Sequence, residues 1–262
     1  MREALDRGAR RLLAAGIENG RREAEWIVGH VLDLSRSGLY AEADRELSGP
    51  EADRAKALFA RRESREPLAY VLGEWGFRRL TLKTDARGLV PRPETEVVVG
   101  RVLALLDGIE SPRVLDIGVG SGAIALSVKD ERPDARVTGV DVSMDALALA
   151  RENADRLGLD VELRQQGVDA AALGWDLVVS NPPYVDTLDG LQPELGYEPR
   201  GALIGEGFHE EIARAAQTRF LVFEVGDGQA AEVAETLERV GYRDVRITLD
   251  LAGLERVVEG AR

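Results

Sequence analysis

Asp116-Ile117-Gly118-Val119-Gly120-Ser121-Gly122-Ala123 follows the short apolar run Val114-Leu115 and leads into Ile124-Ala125-Leu126. The run before it reads as a buried strand, and the residues after it predict a helix over 123–129. Glycines at 118, 120 and 122 let the backbone turn tightly between the two. They also let a ligand approach where a Cβ would clash. Strand, glycine-rich turn and helix in that order open a parallel sheet whose ligands sit beyond the carboxyl ends of the strands.

Outward from this turn the alternation continues. Strands are expected at 137–140, 161–163, 177–180, 220–225 and 245–249, with Val257 and Val258 as a last edge strand. Helices are expected at 144–157, 210–216 and 229–240. Repeated strand–helix units imply a mostly parallel sheet with helices on both faces. Residues 1–70 read differently. Ala4, Leu5, Ala9, Leu12 and Leu13, then Ala24, Ile27, Val28, Val31 and Leu32, recur at helical spacing. Ser48 ahead of Gly-Pro-Glu-Ala-Asp marks another helix start. Four or five short helices in a small bundle are expected here. Residues 71–91 carry Gly73, Gly76 and Gly88 around an alternating Leu80-Thr81-Leu82-Lys83, which reads as a β-hairpin linker. A second domain is then expected over 92–262, beginning with a helix from about Glu94 to Leu106.

The chain has 262 residues and 44% apolar content, ample for two cores. It has no cysteine, which removes disulfides, thiolate nucleophiles and cysteine-ligated metals. No metal site is expected. The charged start MREALDRGARR shows no apolar leader, no run is long enough for a membrane helix, and a cytoplasmic location is expected. The first 87 residues hold 17 basic and 15 acidic side chains, a balance of +2, and the remainder 17 and 32, a balance of −15, which together give the net −13. That imbalance is poorly suited to neutralising nucleic-acid phosphates.

Around the glycine turn, Asp116 lies inside the first strand and Asp141 ends the second. A carboxylate at that second position can accept hydrogen bonds from both hydroxyls of a ribose. The turn itself does not separate S-adenosylmethionine from NAD. Asn181-Pro182-Pro183-Tyr184, at the carboxyl end of Trp175–Ser180, speaks to the chemistry. Two prolines fix φ and remove two donors. What remains is a stiff turn offering two acceptors, the Asn181 side-chain oxygen and the Pro182 carbonyl. An NH₂ group can donate one hydrogen to each and aim its lone pair at an activated methyl carbon. Tyr184 offers a flat face to a planar amide or base. Such a transfer needs orientation more than a strong base. His30 and His209 are accordingly expected to be surface or satisfied residues.

These motifs together resemble the release factor glutamine methyltransferases, the PrmC/HemK family. The likeness runs through Arg65-Glu66-Pro67-Leu68-Ala69-Tyr70, Val90-Pro91-Arg92-Pro93-Glu94-Thr95-Glu96, the glycine turn, the Asn-Pro-Pro-Tyr stretch, Glu198-Pro199, Phe223-Glu224-Val225-Gly226 and Asp250-Leu251-Ala252-Gly253. It departs at Val119, where the family usually has threonine, and at Gly167-Val168, where it has an acid and a bulky residue. The resemblance implies an α/β, Rossmann-like class I methyltransferase domain with a mixed, mostly parallel seven-stranded sheet. It implies S-adenosyl-L-methionine as cofactor, lined by Asp116, Gly118, Val119, Gly120, Ser121, Gly122, Asp141, Val168 and Asn181. It implies that Asn181, Pro182, Pro183 and Tyr184, with Arg92 and Glu94 beside them, take the glutamine of a release factor's Gly-Gly-Gln loop. Asn181, Pro182 and Tyr184 would serve the transfer, and a monomer is expected. Asn-Pro-Pro-Tyr is shared with nucleic-acid adenine and guanine methyltransferases, and a ribosomal-protein glutamine is the nearest rival substrate.

Overall fold

The computed structural model describes residues 1–185, 187 and 190–262, which form two compact units. The first comprises 1–73 and 192–197. It is built from α1 (Arg2–Ala14), α2 (Gly20–Leu32), α3 (Arg36–Ala41), α4 (Gly49–Glu63) and α5 (Leu68–Leu72). The expected apolar stripes are buried at Leu5, Ala9 and Leu12, and at Ala24, Ile27, Val28, Val31 and Leu32, whereas Leu13 faces outward. The α4 start is a reciprocal cap: Ser48 Oγ accepts from the Glu51 amide, and the Ser48 amide donates to Glu51 Oε2 at 2.8 Å. Residues 192–197 are held here by charge. The buried Arg62 guanidinium lies between Glu23 (2.6 Å) and Glu194 (2.9 Å), and Arg65 reaches Glu194 at 2.8 Å. The Tyr197 hydroxyl donates to the Ser64 carbonyl at 2.6 Å.

The second unit comprises 74–191 and 198–262. It opens with an antiparallel hairpin, β1 (Glu74–Phe77) and β2 (Leu80–Lys83). The hairpin expected as a linker over 71–91 is part of this unit's core, because Phe77 and Leu82 pack with Val98, Val102 and Leu126. Next come α6 (Thr95–Leu105), β3 (Arg113–Ile117), α7 (Ala123–Glu131), β4 (Arg136–Asp141), α8 (Met144–Leu157), β5 (Glu162–Gln165) and β6 (Trp175–Ser180). After the Asn-Pro-Pro-Tyr stretch follow α9 (Arg200–Leu203), α10 (Phe208–Ala215), β7 (Thr218–Glu224), α11 (Ala230–Arg239), β8 (Arg243–Leu249) and β9 (Glu255–Ala261).

The seven strands run in the order β5-β4-β3-β6-β7-β9-β8. The first five are parallel, and β9 is antiparallel to both its neighbours. Val257 and Val258 are therefore not on an edge strand. They are fully buried, and β8 forms the edge. The tight β8–β9 connection folds the last strand back between β8 and β7, an insertion that the local apolar pattern does not reveal. Along the central strands successive side chains alternate between two cores. Val114, Leu177, Val179 and Val222 face the core shared with α6, α7 and α8. Leu115, Val178, Leu221 and Phe223 face the one shared with α10 and α11. Burial on both sides is why these strands read as unbroken apolar runs.

The turn into α7 requires glycine. Gly122 has φ +89°, and a Cβ there would meet Leu126 Cδ1 at 2.8 Å. Gly118 has φ +74° with no atom near its Cβ position. Gly122→Ala is therefore expected to cost the backbone strain of about 1–3 kcal/mol plus a packing penalty, and Gly118→Ala the strain alone. Urea unfolding of the two variants should rank them in that order.

Candidate active site

The chain builds β3, β4 and β5 outward on one side, then returns across β3 to lay down β6 on the other. The crevice sits at this switch point. Register decides what reaches it. Ile117 pairs with Val140 in β4 and with Ser180 in β6, so Gly118, Asp141 and Asn181 leave the sheet beside one another. The Ser180 hydroxyl donates to the Ile117 carbonyl at 2.8 Å and pins the two strand ends together. Asp141 pairs with Gln165, which delivers Gln166, Gly167 and Val168 to the same rim. These residues line a cavity of about 380 Å³, closed further by Leu89 to Arg92, Thr95, Phe208 and Ile212.

Two carboxylates organise the glycine turn. Asp116 is buried, and its Oδ2 accepts from the Ala125 amide at 3.1 Å. Its Oδ1 has no hydrogen-bond partner among the described residues. Burial, with Asp141 nearby, pushes this carboxyl up to about 7. Asp141 Oδ2 accepts from the Gly120 amide at 3.0 Å and its Oδ1 from the Ser143 amide at 2.9 Å. Asp141 thus holds the turn and still lines the cavity, where each oxygen keeps a second lone pair. Ser143 caps α8 through its own Oγ, accepting from the Ala146 amide. Asn153, which the sequence reading passed over, accepts from the Lys83 amide and donates to the Lys83 and Ser121 carbonyls. It thereby ties β2 and α8 to the turn.

The cavity suits a nucleoside. The empty Cβ position of Gly118 leaves room against the backbone. Asp141 brings carboxylate acceptors to the cavity, and Asp116 lines it with Oδ1 buried and unpartnered among the described residues. Val119, Val142, Ile124 and Val168 give apolar wall. Gly122, expected to line the ligand, instead starts α7 and is not among the lining residues.

On the opposite wall Asn181, Pro182 and Pro183 line the cavity. Asn181 Nδ2 donates to Thr95 Oγ1 at 3.4 Å, which leaves its oxygen to accept from a substrate. Arg92 also lines the cavity, but its guanidinium binds the buried Glu198 carboxylate, which in turn accepts from the Val90 amide at 3.0 Å. That wall is therefore a neutralised pair, not a bare cation. Glu94 and Tyr184 do not line the cavity. Tyr184 lies behind it, with its hydroxyl donating to Glu224 Oε1 at 3.4 Å and burial pushing its pKa up to about 12. Gln229 fixes the Tyr184 backbone by donating to its carbonyl at 3.1 Å. Thr95 and Glu198 lie in stretches that carried the family resemblance, yet nothing in one sequence marks them as site residues. His209 packs edge-on against Phe223 and bonds the Glu224 carbonyl at 2.9 Å, a satisfied histidine.

Residues 3–73 match the PrmC N-terminal domain and residues 100–194 the methyltransferase small domain. The release factor glutamine methyltransferase of Rhodospirillum rubrum is 41% identical over 98% of this chain and 84% of its own length. That of Geobacter sulfurreducens is 41% identical over 99% of this chain and 96% of its own. Among solved structures, the hMettl16 catalytic domain in complex with the MAT2A 3'UTR hairpin 6 superposes with a TM-score of 0.55 at 17% identity, over 82% of each chain, a likeness of fold alone. With relatives of this similarity along almost its entire length, the chain belongs to the release factor glutamine methyltransferases and is an S-adenosylmethionine-dependent methyltransferase.

Proposed function

We propose that the protein methylates the side-chain amide nitrogen of the glutamine in the Gly-Gly-Gln loop of peptide chain release factors, in the cytoplasm and as a monomer. The observation that carries this reading is Asn181. It leaves β6 next to the glycine turn, its NH₂ is engaged by Thr95, and its oxygen is left to accept from an incoming NH₂ group. The names of its relatives supply the release factor and the glutamine. The acidic excess of the second part of the chain argues against a nucleic-acid substrate. Among the described residues no helix is long and apolar enough to cross a membrane.

S-adenosylmethionine, when bound, supplies a methyl carbon activated by its positive sulfur. Asp141 would hold the ribose and Asp116 an N–H of the ligand, with Gly118 leaving space against the backbone. Asn181 Oδ1 and the Pro182 carbonyl would accept the two amide hydrogens. Accepting both draws electron density onto the nitrogen and fixes its direction. An amide nitrogen conjugated with its carbonyl gains most from that orientation. Pro182 and Pro183 keep the two acceptors from rotating away. Pro182 is buried, so the turn cannot relax without opening the core around it.

Asn181→Ala should lower turnover on a purified release factor by about 10²–10³-fold, and unchanged turnover would remove Asn181 from this role. Asp141→Ala should raise the dissociation constant for S-adenosylhomocysteine about 10–100-fold, as expected for losing charged hydrogen bonds; calorimetry reads this, with NAD as the control that should not bind. The whole release factor should be methylated with far higher kcat/KM than a short Gly-Gly-Gln peptide, because one glutamine offers little surface for selection. A factor with that glutamine replaced should take no label, and label on a ribosomal protein instead would favour the rival substrate.

A further inference from the structure

The last two strands reach past the end of the sheet on the side where the cavity opens. Phe223 pairs with Ser180 and Glu224 with Val257, so Asn181, Glu224 and Val257 stand at one level at the carboxyl edge of the parallel strands. β9 is antiparallel to β7, so the residues before Val257 continue outward from that edge. Leu249 pairs with Glu255, which makes the β8–β9 turn over 250–254 the outermost part of the hairpin. At strand spacings, its tip lies about 10 Å beyond the edge and, two strands over from β6, about 10 Å to the side of Asn181.

Leucines occupy this tip. Leu251 is 105% exposed, Leu249 53% and Leu254 42%. Val142 is also exposed, but it lines the cavity, and none of these leucines does. The turn that displays them is held rigidly. Asp250 Oδ1 accepts from the Ala252 amide at 2.8 Å and from the Leu254 amide at 2.9 Å, and the Asp250 amide donates to the Leu254 carbonyl at 2.8 Å. Asp250 Oδ2 accepts from Arg256 Nε at 3.1 Å. Gly253 supplies the φ of +82° that closes the turn. At the base of the hairpin the Val225 amide donates to the Arg256 carbonyl at 2.9 Å, which joins the turn to the end of β7. A loose loop could fold its leucines against their own surroundings. This one fixes them in water, where apolar surface is costly. A fixed display also lowers the ordering entropy lost when a partner binds.

The position of the tip selects the partner. The glutamine that enters the cavity belongs to a protein, and a specific protein interface covers about 800 Å² on each partner, a disc of roughly 16 Å radius. Centred on Asn181, such a footprint takes in the tip. We propose that the β8–β9 turn, with Leu251 at its point, is a docking surface for the release factor itself and seats in an apolar patch beside the loop that carries the glutamine. This rests on the substrate reading given above. The cavity selects the amide, and the leucine tip adds apolar area that a short peptide does not reach. Because the tip lies apart from the reacting atoms, its loss belongs in KM and not in kcat.

The test uses the full chain with Leu251→Asp and Leu251→Ser. Leu173→Asp is the control, at a 53% exposed leucine ahead of the amino end of β6 and so away from the cavity edge. Leu251→Asp should raise KM for a whole release factor about 10–100-fold, the size of losing one buried leucine, with kcat unchanged. Leu251→Ser should act in the same direction and less. Turnover of a short Gly-Gly-Gln peptide, S-adenosylhomocysteine affinity and the urea midpoint should match the parent, because residue 251 is in water in the free protein. Leu173→Asp should match the parent in every assay. An unchanged KM for the whole factor in Leu251→Asp would overturn the proposal, as would equal losses on factor and peptide. Sedimentation of the protein alone tests the other occupant: self-association abolished by Leu251→Asp would give the tip to a second copy of this chain and overturn the proposal. Binding is read apart from chemistry by calorimetry with a factor whose loop glutamine is replaced, in the presence of S-adenosylhomocysteine. If this factor binds the parent and binds Leu251→Asp about 10–100-fold more weakly, the docking surface stands even where no methyl group is transferred, and the assigned reaction falls. If the parent methylates the factor and both proteins bind it alike, the reaction stands and the docking surface falls.

Discussion

Parallel pairing of β3 with β4 on one side and β6 on the other is the constraint from which the site follows. Once Ile117 sits opposite both Val140 and Ser180, the next residue of each strand must emerge at the same edge of the sheet. Those residues are Gly118, Asp141 and Asn181. A slip by one position would turn every one of these side chains to the opposite face. The register is held by the apolar alternation between two cores and by the Ser180 hydroxyl on the Ile117 carbonyl. Binding and chemistry are therefore consequences of packing far from the ligand.

The cavity is polar only where polarity has work to do. Asp116 and Asp141 stand on the side of the glycine turn, and each is partly spent on the backbone it organises. Arg92 is answered by Glu198 and so adds direction without net charge. Behind the Asn-Pro-Pro-Tyr turn, Tyr184, Thr95 and Glu224 form a second set of polar groups that never meet the cavity wall as a set. Tyr184 illustrates the division. Its hydroxyl meets Glu224, and the residue expected from sequence to offer a stacking face is not among those that line the cavity.

Charge in the first unit is used differently. Arg62 is buried between Glu23 and Glu194, and Arg65 shares Glu194. Removing one member of such a group leaves the others uncompensated, which is more damaging than the group is stabilising. The effect is to specify where residues 192–197 go. They lie more than a hundred positions along the chain from the arginines that hold them.

Local patterns were enough for much of this molecule. Helical spacing and the Ser48 cap located α1, α2 and α4 of the first unit, though not the short α3 and α5, and the glycine turn placed the start of the sheet, because these signals depend on neighbours within one or two turns of chain. The Asn-Pro-Pro-Tyr stretch was legible because proline acts on its own φ. What no local pattern contained were pairings across long separations: β9 inserted between β7 and β8, the 192–197 segment joined to the helical unit, Glu198 beneath Arg92, and Glu224 behind Thr95 and Asn181. An acid is equally acceptable at a surface and in a core until the fold decides which groups surround it. Sequence alone determined the strand order's raw material and the chemistry of the turn; tertiary structure alone decided which carboxylates lost their water, since desolvation belongs to the assembled core and not to any residue in it.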